Sequence, residues 1–281
     1  MIRIVSDTST LYSTTQAKEA GFAVSPLSVT IGGKSYREFD EIDAEQFVAL
    51  IREGNMPTSS QPAVGEVNAI YDQYGPEDEI LNITMALGLS GTYTGAVAAA
   101  EMSENKERIT VLNSRTLCGP HRYLVEQAVL MAKSGKTLSE IVERTKELMD
   151  TAKSYLMPAD FAYLRRGGRL SPLVSYVGQV ARLAPILTQT EDSLQLTIAG
   201  VRRSFGHAVK YIIDALRERK FGDGEGWRIY ISHAGAIHLA EQAERKLREA
   251  FPEAILEILP LSPAFITQGG PGCVAIQYIH N

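Results

Sequence analysis

The repeated order of strand, polar loop and helix in the first half of the chain restricts the fold more than any other feature. The stretch "DEILNITMALGLSGTYTGAVAAAEM", residues 78–102, begins as an apolar strand, breaks at "GLSGTY" and continues as an alanine-rich helix. The same order returns in "RITVLNSRTLCGPHRYLVEQAVLMAKSG", where a strand at residues 109–112 precedes Asn113, Ser114 and a helix to about Ser134. Strands that alternate with helices pair in parallel, and their ligands bind beyond the carboxyl ends of the strands.

Hydroxyl-bearing loops precede several of these predicted helices. "NMPTSSQPAVGEVNAIYDQY" places a hydroxyl cluster before a helix, just as "GLSGTY" does. A helix start exposes unpaired backbone N–H groups and the positive end of the helix dipole, so Ser90, Gly91 and Thr92 are expected to face an anion. Ordinary helix capping is the alternative for either cluster alone. We expect both clusters to lie at the same edge of one mostly parallel sheet with flanking helices.

The second half of the chain follows a different pattern. "PILTQTEDSLQLTIAGVRR" predicts two strands around a polar turn, which is an antiparallel hairpin and not a crossover. Further strands are predicted at "WRIYISHAG", "AILEILPL" and "CVAIQYIH", with helices between them. The fold class is therefore α/β with two domains. We predict an α/β domain at residues 1–156, carrying the hydroxyl-rich loops, and an α+β domain with a mixed or antiparallel sheet at residues 157–281, with the boundary placed to within about ten residues.

Composition excludes several classes of protein. The 281 residues are 44% hydrophobic and 22% charged with a formal charge of −5, which argues against a general nucleic-acid binder. Cys118 and Cys273 are far apart and form no C-x-x-C motif, so they fit a reducing cytoplasm better than a disulfide framework. The sequence has no apolar run long enough for a membrane span, so we expect a cytoplasmic protein without stable membrane insertion.

Familiar catalytic and cofactor motifs are incomplete in this sequence. "IGGKSY" resembles the end of a phosphate-binding P-loop, but Ser28 stands where that motif needs glycine. "LGLSGTY" has Thr92 where a nucleophile elbow needs glycine. The five histidines have neither zinc nor catalytic spacing, so structural or surface roles are expected for them. We therefore expect no cofactor and no metal site.

A series of short motifs, in this order and spacing, resembles the DegV family, whose members resemble the fatty-acid-binding subunits of bacterial fatty acid kinases. The match spans nearly the whole chain. The motifs are "VSDTSTL", "PLSVTIGGKSY", "TSSQPA", "LSGTYTGA", "VLNSRT", "YLRRGGRLS", "VRRSFGHA" and "GGPGCVAI". The resemblance implies a two-domain α/β protein that encloses one long-chain fatty acid between its halves and has no catalysis of its own.

The resemblance also implies which residues hold the acyl carboxylate. The family places the carboxylate near the first hydroxyl of its T-S-Q-P motif, which is Ser59 here with Thr58 as the alternative, and near Ser90. The family's glycine-rich C-terminal loop corresponds to "ITQGGPG", where Gln268 replaces a histidine. Arg169 and Arg203 match family arginines and are expected to face the head group or a partner. The full set expected at the carboxylate is Ser59, Ser60, Ser90, Gly91, Thr92, Thr267 and Gln268.

By this resemblance, the protein would bind a long-chain fatty acid, present its carboxylate to a separate ATP-dependent fatty acid kinase and carry the acyl-phosphate onward in phospholipid metabolism. An acyltransferase is a further candidate partner. Two alternatives stay open. The protein would be a serine-dependent acyl or phosphoryl transferase if a base stood near Ser90, or a regulator if a protein target bound only its ligand-loaded form.

Overall fold

A computed structural model describes residues 1–171, 183–219 and 221–281. Within these ranges the strands are β1 (Ile2–Asp7), β2 (Ala23–Ser25), β3 (Ser28–Ile31), β4 (Lys34–Arg37), β5 (Thr58–Ser60), β6 (Glu79–Thr84), β7 (Ile109–Asn113), β8 (Lys153–Met157), β9 (Ala184–Gln189), β10 (Leu196–Arg202), β11 (Trp227–His233), β12 (Ile255–Pro260) and β13 (Val274–His280). The helices are α1 (Thr14–Ala20), α2 (Ala44–Arg52), α3 (Val64–Asp72), α4 (Thr92–Met102), α5 (Cys118–Lys133), α6 (Leu138–Thr151), α7 (Phe161–Gly167), α8 (Phe205–Glu218), α9 (Ile237–Ala250) and α10 (Pro263–Gly269).

The first half is built on a four-stranded sheet with the order β2-β1-β6-β7, and its neighbouring strands are all parallel. Strand β6 is buried from Ile80 to Thr84, because helices cover both faces of the sheet. Val125 of α5 and Ile141 of α6 belong to the apolar cluster on one face, and Tyr71 of α3 belongs to the cluster on the other. The predicted parallel sheet with flanking helices is confirmed.

A second, smaller sheet in the first half corrects one prediction. Strands β4, β3 and β5 form a three-stranded antiparallel sheet, in which Val29 of β3 pairs with Ser59 of β5. The turn between β3 and β4 lies at Gly32 and Gly33, which both have positive φ. The prediction that "TSSQP" is a loop at the edge of the parallel sheet is wrong, because Thr58–Ser60 pair with the free edge of β3.

The second half is built on a six-stranded mixed sheet with the order β10-β9-β8-β13-β11-β12. The pair β11–β12 is parallel and the other pairs are antiparallel, including the predicted β9–β10 hairpin, which is confirmed. The chain passes from one half to the other between Thr151, where α6 ends, and Lys153, where β8 begins. Helices α8 and α9 cover one face of this sheet, and its other face turns toward the first half.

Helices α5 and α10 join the two halves. Helix α5 contacts β11 and β13, and α10 contacts α2, β3 and β5. The sequence predicted a glycine-rich loop at "ITQGGPG", but Thr267 and Gln268 lie in α10. Pro263 occupies the first turn of this helix, and Ile266, on the apolar side of the helix, is fully buried.

In the described part of the chain, no helix combines the length and the apolar character needed to cross a bilayer.

A matched pair of glycines tests the contact between the halves. A Cβ added at Gly119, the second residue of α5, would lie 2.1 Å from Cγ of Tyr230, whereas one added at Gly65, the second residue of α3, would meet no atom within 4 Å. We expect Gly119→Ala to lower the free energy of unfolding by about 1–3 kcal/mol through overpacking. Gly65→Ala should raise it by about 0.5–1 kcal/mol, because alanine is the better helix former. Urea unfolding measures both, and equal changes in the two variants would contradict close packing at Gly119.

Candidate ligand-binding site

A polar cavity of about 310 Å³ lies where the two halves meet. The first half contributes β5 and the loop after β6, and the second half contributes Arg169 and α10. The polar and glycine positions in its lining are Ser59, Ser60, Gln61, Ser90, Gly91, Arg169 and Gln268. We call this cavity the mouth. It brings six of the sequence-predicted site residues together: Ser59, Ser60, Ser90, Gly91, Gln268 and Arg169.

An apolar chamber continues from the mouth into the space between the C-terminal sheet and the first half. The two cavities share Met85, Leu89, Arg169, Phe265 and Gln268 in their linings. Most of the remaining chamber wall is aliphatic, including Leu117, Leu156, Leu164, Leu187, Leu196 and Leu261. A larger depression of about 1130 Å³ opens at the amino edge of the parallel sheet, beside Met1 and Glu79.

Ser90 lies at the amino end of α4. Its Oγ is 2.8 Å from Oγ1 of Thr92 and accepts the backbone N–H of Thr92 at 3.3 Å. The N-cap residue of α4 is Gly91, and the hydroxyl of Ser90, the residue before it, accepts one of the free N–H groups of the first turn. A Cβ at Gly91 would lie 1.8 Å from Oε1 of Gln61, so glycine leaves room for the amide of Gln61 beside the helix start.

Ser59 and Gln268 connect the two halves across the mouth. Nε2 of Gln268 donates a hydrogen bond to Oγ of Ser59 at 3.2 Å. Oε1 of Gln268 is buried and has no hydrogen-bond donor among the described residues. Of the two hydroxyls that the sequence left open, Ser59 lines the mouth, whereas Thr58 is exposed and lines neither cavity.

Arg169 stands between the mouth and the chamber. Its Nε donates to the carbonyl oxygen of Leu89 at 3.2 Å, and its guanidinium also donates to the carbonyl oxygen of Gly167. The carbonyl oxygen of Arg169 accepts the N–H of Leu196 at 2.9 Å. Arg169 is the only charged side chain that lines either cavity in the described part of the chain, so the site presents a positive charge and no carboxylate.

The other predicted site residues lie outside the linings of the mouth and the chamber. Thr92 is buried beside Ser90. Thr267 is buried, and its hydroxyl donates to the carbonyl oxygen of Pro263 at 3.0 Å within α10. Arg203 is exposed just beyond β10.

The described lining of the mouth holds no histidine, carboxylate, lysine or cysteine beside Ser90. His121 makes contacts of 2.6 Å with Oγ of Ser9 and 3.2 Å with Oγ of Ser6, but all three residues are fully buried and line neither cavity. Burial lowers the pKa of His121, which favours the neutral ring. Residues 1–171, 183–219 and 221–281 contain no group of three or more His, Cys, Asp or Glu placed to hold a metal ion.

Sequence analysis did not point to Glu38, which holds α10 in place. Glu38 follows β4 and is fully buried. Its Oε1 accepts the hydroxyl of Thr8 at 2.5 Å, and its Oε2 accepts the N–H of Ala264, in the first turn of α10, at 2.9 Å. Burial raises the pKa of Glu38 from its ordinary value of 4.5 to about 7, although both of these hydrogen bonds favour the carboxylate.

Phe265 and Gln268 depend on this contact, because both belong to α10 and line the mouth and the chamber. Sequence analysis expected Gln268 at the head group but did not point to Phe265, because "PAFITQGG" is dominated by its glycines. The local signal for the helix is the proline at its first position, followed by an apolar pair.

The fold and the site define an α/β protein with a parallel sheet in its first half, a mixed sheet in its second half, an apolar chamber between the halves and a hydroxyl- and amide-lined mouth. The family model described as an uncharacterised protein of the DegV family matches residues 1–281. The chain therefore belongs to the DegV family.

Relatives and solved structures agree with this assignment. A DegV domain-containing protein of Listeria monocytogenes is 29% identical over 280 residues, covering 99% of this chain and 98% of the relative. The crystal structure of DegV, a fatty acid binding protein from Bacillus subtilis, matches with a TM-score of 0.88 and 26% identity, covering 100% of this chain and 99% of that one. A DegV family protein from Thermus thermophilus, studied for its fatty acid binding, matches with a TM-score of 0.88, 25% identity and the same coverage.

The titration of Glu38 gives a testable pH dependence. The unfolded chain releases this proton near pH 4.5 and the folded chain near pH 7, so the folded state loses stability as the pH rises between those values. The loss should total on the order of 3 kcal/mol. The amide in Glu38→Gln has no proton to release in this pH range, so this variant should lack the loss of stability that Glu38 causes. The measurement is the free energy of urea unfolding between about pH 4 and about pH 8, compared with wild type.

Glu45→Gln, in the exposed first turn of α2, is the control and should keep the wild-type pH slope. If Glu38→Gln keeps that slope as well, Glu38 does not titrate as its burial implies.

Proposed function

We propose that this protein binds one long-chain fatty acid, with the acyl chain in the apolar chamber and the carboxylate in the mouth. The observation that carries the proposal is the continuity of the two cavities through Met85, Leu89 and Phe265. A ligand with an apolar tail and a small anionic head matches this arrangement, since the mouth offers hydroxyls, an amide and one guanidinium. The fatty acid binding of the Bacillus subtilis and Thermus thermophilus relatives supports the same assignment.

The chamber and the mouth contribute different amounts to the free energy of binding. Burying an acyl chain gains about 0.8 kcal/mol per methylene, or roughly 12 kcal/mol gross for about fifteen of them before the costs of association. A hydrogen bond to the charged head contributes only about 1.5–3 kcal/mol. The chamber therefore supplies most of the affinity, and the mouth fixes which end of the ligand faces outward.

We assign the carboxylate contacts to Ser59, Ser90 and Gln268. Ser59 and Ser90 come from the first half, and Gln268 comes from α10. The amino end of α4 adds a favourable dipole beside Ser90. Thr92 supports Ser90 through its 2.8 Å contact, and Gly91 leaves room for Gln61.

We further propose that the protein presents this carboxylate to a separate ATP-dependent fatty acid kinase and then carries the acyl-phosphate. Arg169 would balance the added negative charge, because it is the only cation in the described cavity lining. Arg203 is exposed and available to a partner surface. The absence of a base beside Ser90 in that lining favours this carrier role over a serine-dependent transferase.

Bound lipid and the Ser90 hydroxyl provide the first test of this function. Protein purified from a bacterial host should carry one fatty acid, which native mass spectrometry before and after denaturation detects. Ser90→Ala should weaken fatty-acid affinity roughly tenfold or more, through loss of one charge-assisted hydrogen bond, while the fold is retained. Thr94→Ala, an exposed position of the same helix, should bind as wild type does.

The binding proposal fails if organic extraction yields no lipid and the protein takes up no added fatty acid. Unchanged affinity in Ser90→Ala would instead remove Ser90 from the head-group contacts.

A variant of Arg169 distinguishes retention of the fatty acid from presentation of its carboxylate to the kinase. Arg169→Ala should reduce acyl-phosphate formation with the cognate kinase far more than it reduces fatty-acid retention, because the buried chain supplies most of the affinity. The two measurements are bound fatty acid and acyl-phosphate yield, with exposed Arg245→Ala as the control. Phosphorylation at the control level would show that Arg169 has no presenting role, as would joint loss of both activities through unfolding detected by circular dichroism.

A further inference from the structure

The face of the C-terminal sheet that lines the chamber changes from apolar to polar between two successive rows of side chains. Leu156 of β8 pairs with Leu187 of β9 and with Ala275 of β13, which gives an apolar row. Two residues away along the strands, Ser154 of β8 pairs with Gln277 of β13. Two residues of a strand span about 7 Å, so the polar pair lies roughly that far from the apolar row. Both rows line the chamber.

The apolar row lies on the side of the mouth. A Cβ added at Gly269 would be 3.7 Å from Cδ1 of Leu156, and Gly269 directly follows Gln268 of the mouth. The polar pair lies farther from α10, because Ser154 precedes Leu156 in the strand that leads toward α7 and Arg169. A ligand that enters at the mouth therefore meets Leu156 before it reaches Ser154.

The first turn of α5 closes the chamber over the polar pair. Gln277 is only 1% exposed. Its Nε2 donates to the carbonyl oxygen of Leu117 at 2.9 Å and to Oγ of Ser154 at 2.8 Å, and its Oε1 accepts the N–H of Gly119 at 3.4 Å. Both amide hydrogens of Gln277 are therefore engaged, and any displacement of this side chain leaves buried polar groups unpaired.

We propose that Ser154 and Gln277, beneath the first turn of α5, form the floor of the chamber and set the longest acyl chain that the protein accepts. This inference rests on the proposed fatty-acid binding. A methylene that packs along Leu156, Leu187 and Ala275 is removed from water onto apolar surface, so each one strengthens binding. A methylene beyond that row meets the hydrogen-bonded pair Ser154 and Gln277. Contact with these polar groups gives it little stabilisation, and displacing them would break buried hydrogen bonds. Affinity should therefore rise with chain length and then stop rising.

The test uses unbranched saturated acids from decanoic to icosanoic acid, competed against one another and read by native mass spectrometry. In wild type we expect affinity to rise roughly fourfold per methylene up to a break, and to level or fall beyond it. Gln277→Ala deepens the floor and should move the break to longer chains. Ser154→Leu raises the floor and should move the break to shorter chains.

Leu164→Ala is the matched control, because Leu164 is a wall residue that lies in α7 and is not part of the floor. It should weaken binding of all the acids and leave the break where it is in wild type. Circular dichroism and thermal melting show which variants remain folded, and if Gln277→Ala does not, Ser154→Leu decides the test.

The inference is overturned if wild-type affinity rises through the whole series, or if the break stays in place in the folded floor variants. Either result leaves fatty-acid binding itself intact. Failure of wild type to bind any acid would instead refute the proposed function, and the floor inference with it.

Discussion

Glu38 carries a carboxyl group that is fully buried between the two halves of the molecule, and the described residues supply it with no ion-pair partner. A lone buried charge is expensive, which is why its pKa is raised, and two donors offset that cost. One donor is the hydroxyl of Thr8, which also accepts the N–H of Leu27 at 2.9 Å, and the other is the N–H of Ala264. This arrangement fixes α10 against both sheets of the first half. The position of Gln268 in the mouth depends on it.

The site is assembled only when the two halves close on each other. The hydroxyls belong to the first half, the amide and the guanidinium to the second, and the chamber wall to both. A ligand that spans the mouth and the chamber therefore touches both halves at once. Such a ligand binds the closed, folded protein and not the unfolded chain, so it stabilises the joined arrangement by mass action.

The sequence revealed the parts of this fold that local patterns specify. Alternating strands and helices predicted the parallel sheet, and the polar turn at residues 190–195 predicted the β9–β10 hairpin. Strand β5 was missed because "TSSQP" is a typical capping sequence whose partner, β3, cannot be read from neighbouring residues. Helix α10 was missed because the glycines after it outweighed its short apolar stretch.

The candidate site was predictable only where a residue type carries its own signal. The hydroxyls Ser59 and Ser90 stood out by composition and by the motif series, and both line the mouth. Glu38 and Ala264 are 226 residues apart, and Gln277 and Leu117 are 160 residues apart. Nothing in the sequence marks one of these residues as the partner of the other, since the contact exists only after the sheets have formed.

The placement of β13 has a consequence for how the molecule is made. It follows every other described strand along the chain, yet it lies between β8 and β11 at the centre of the C-terminal sheet. Before β13 is synthesised, β8 and β11 each present an unpaired edge, which is a hazard for pairing with other chains. The parallel sheet needs only residues 2–113 and has no such delay. During synthesis the strands of the parallel sheet are therefore complete before the C-terminal sheet can close. The chamber wall at Ala275 and Gln277 forms only when β13 has been added.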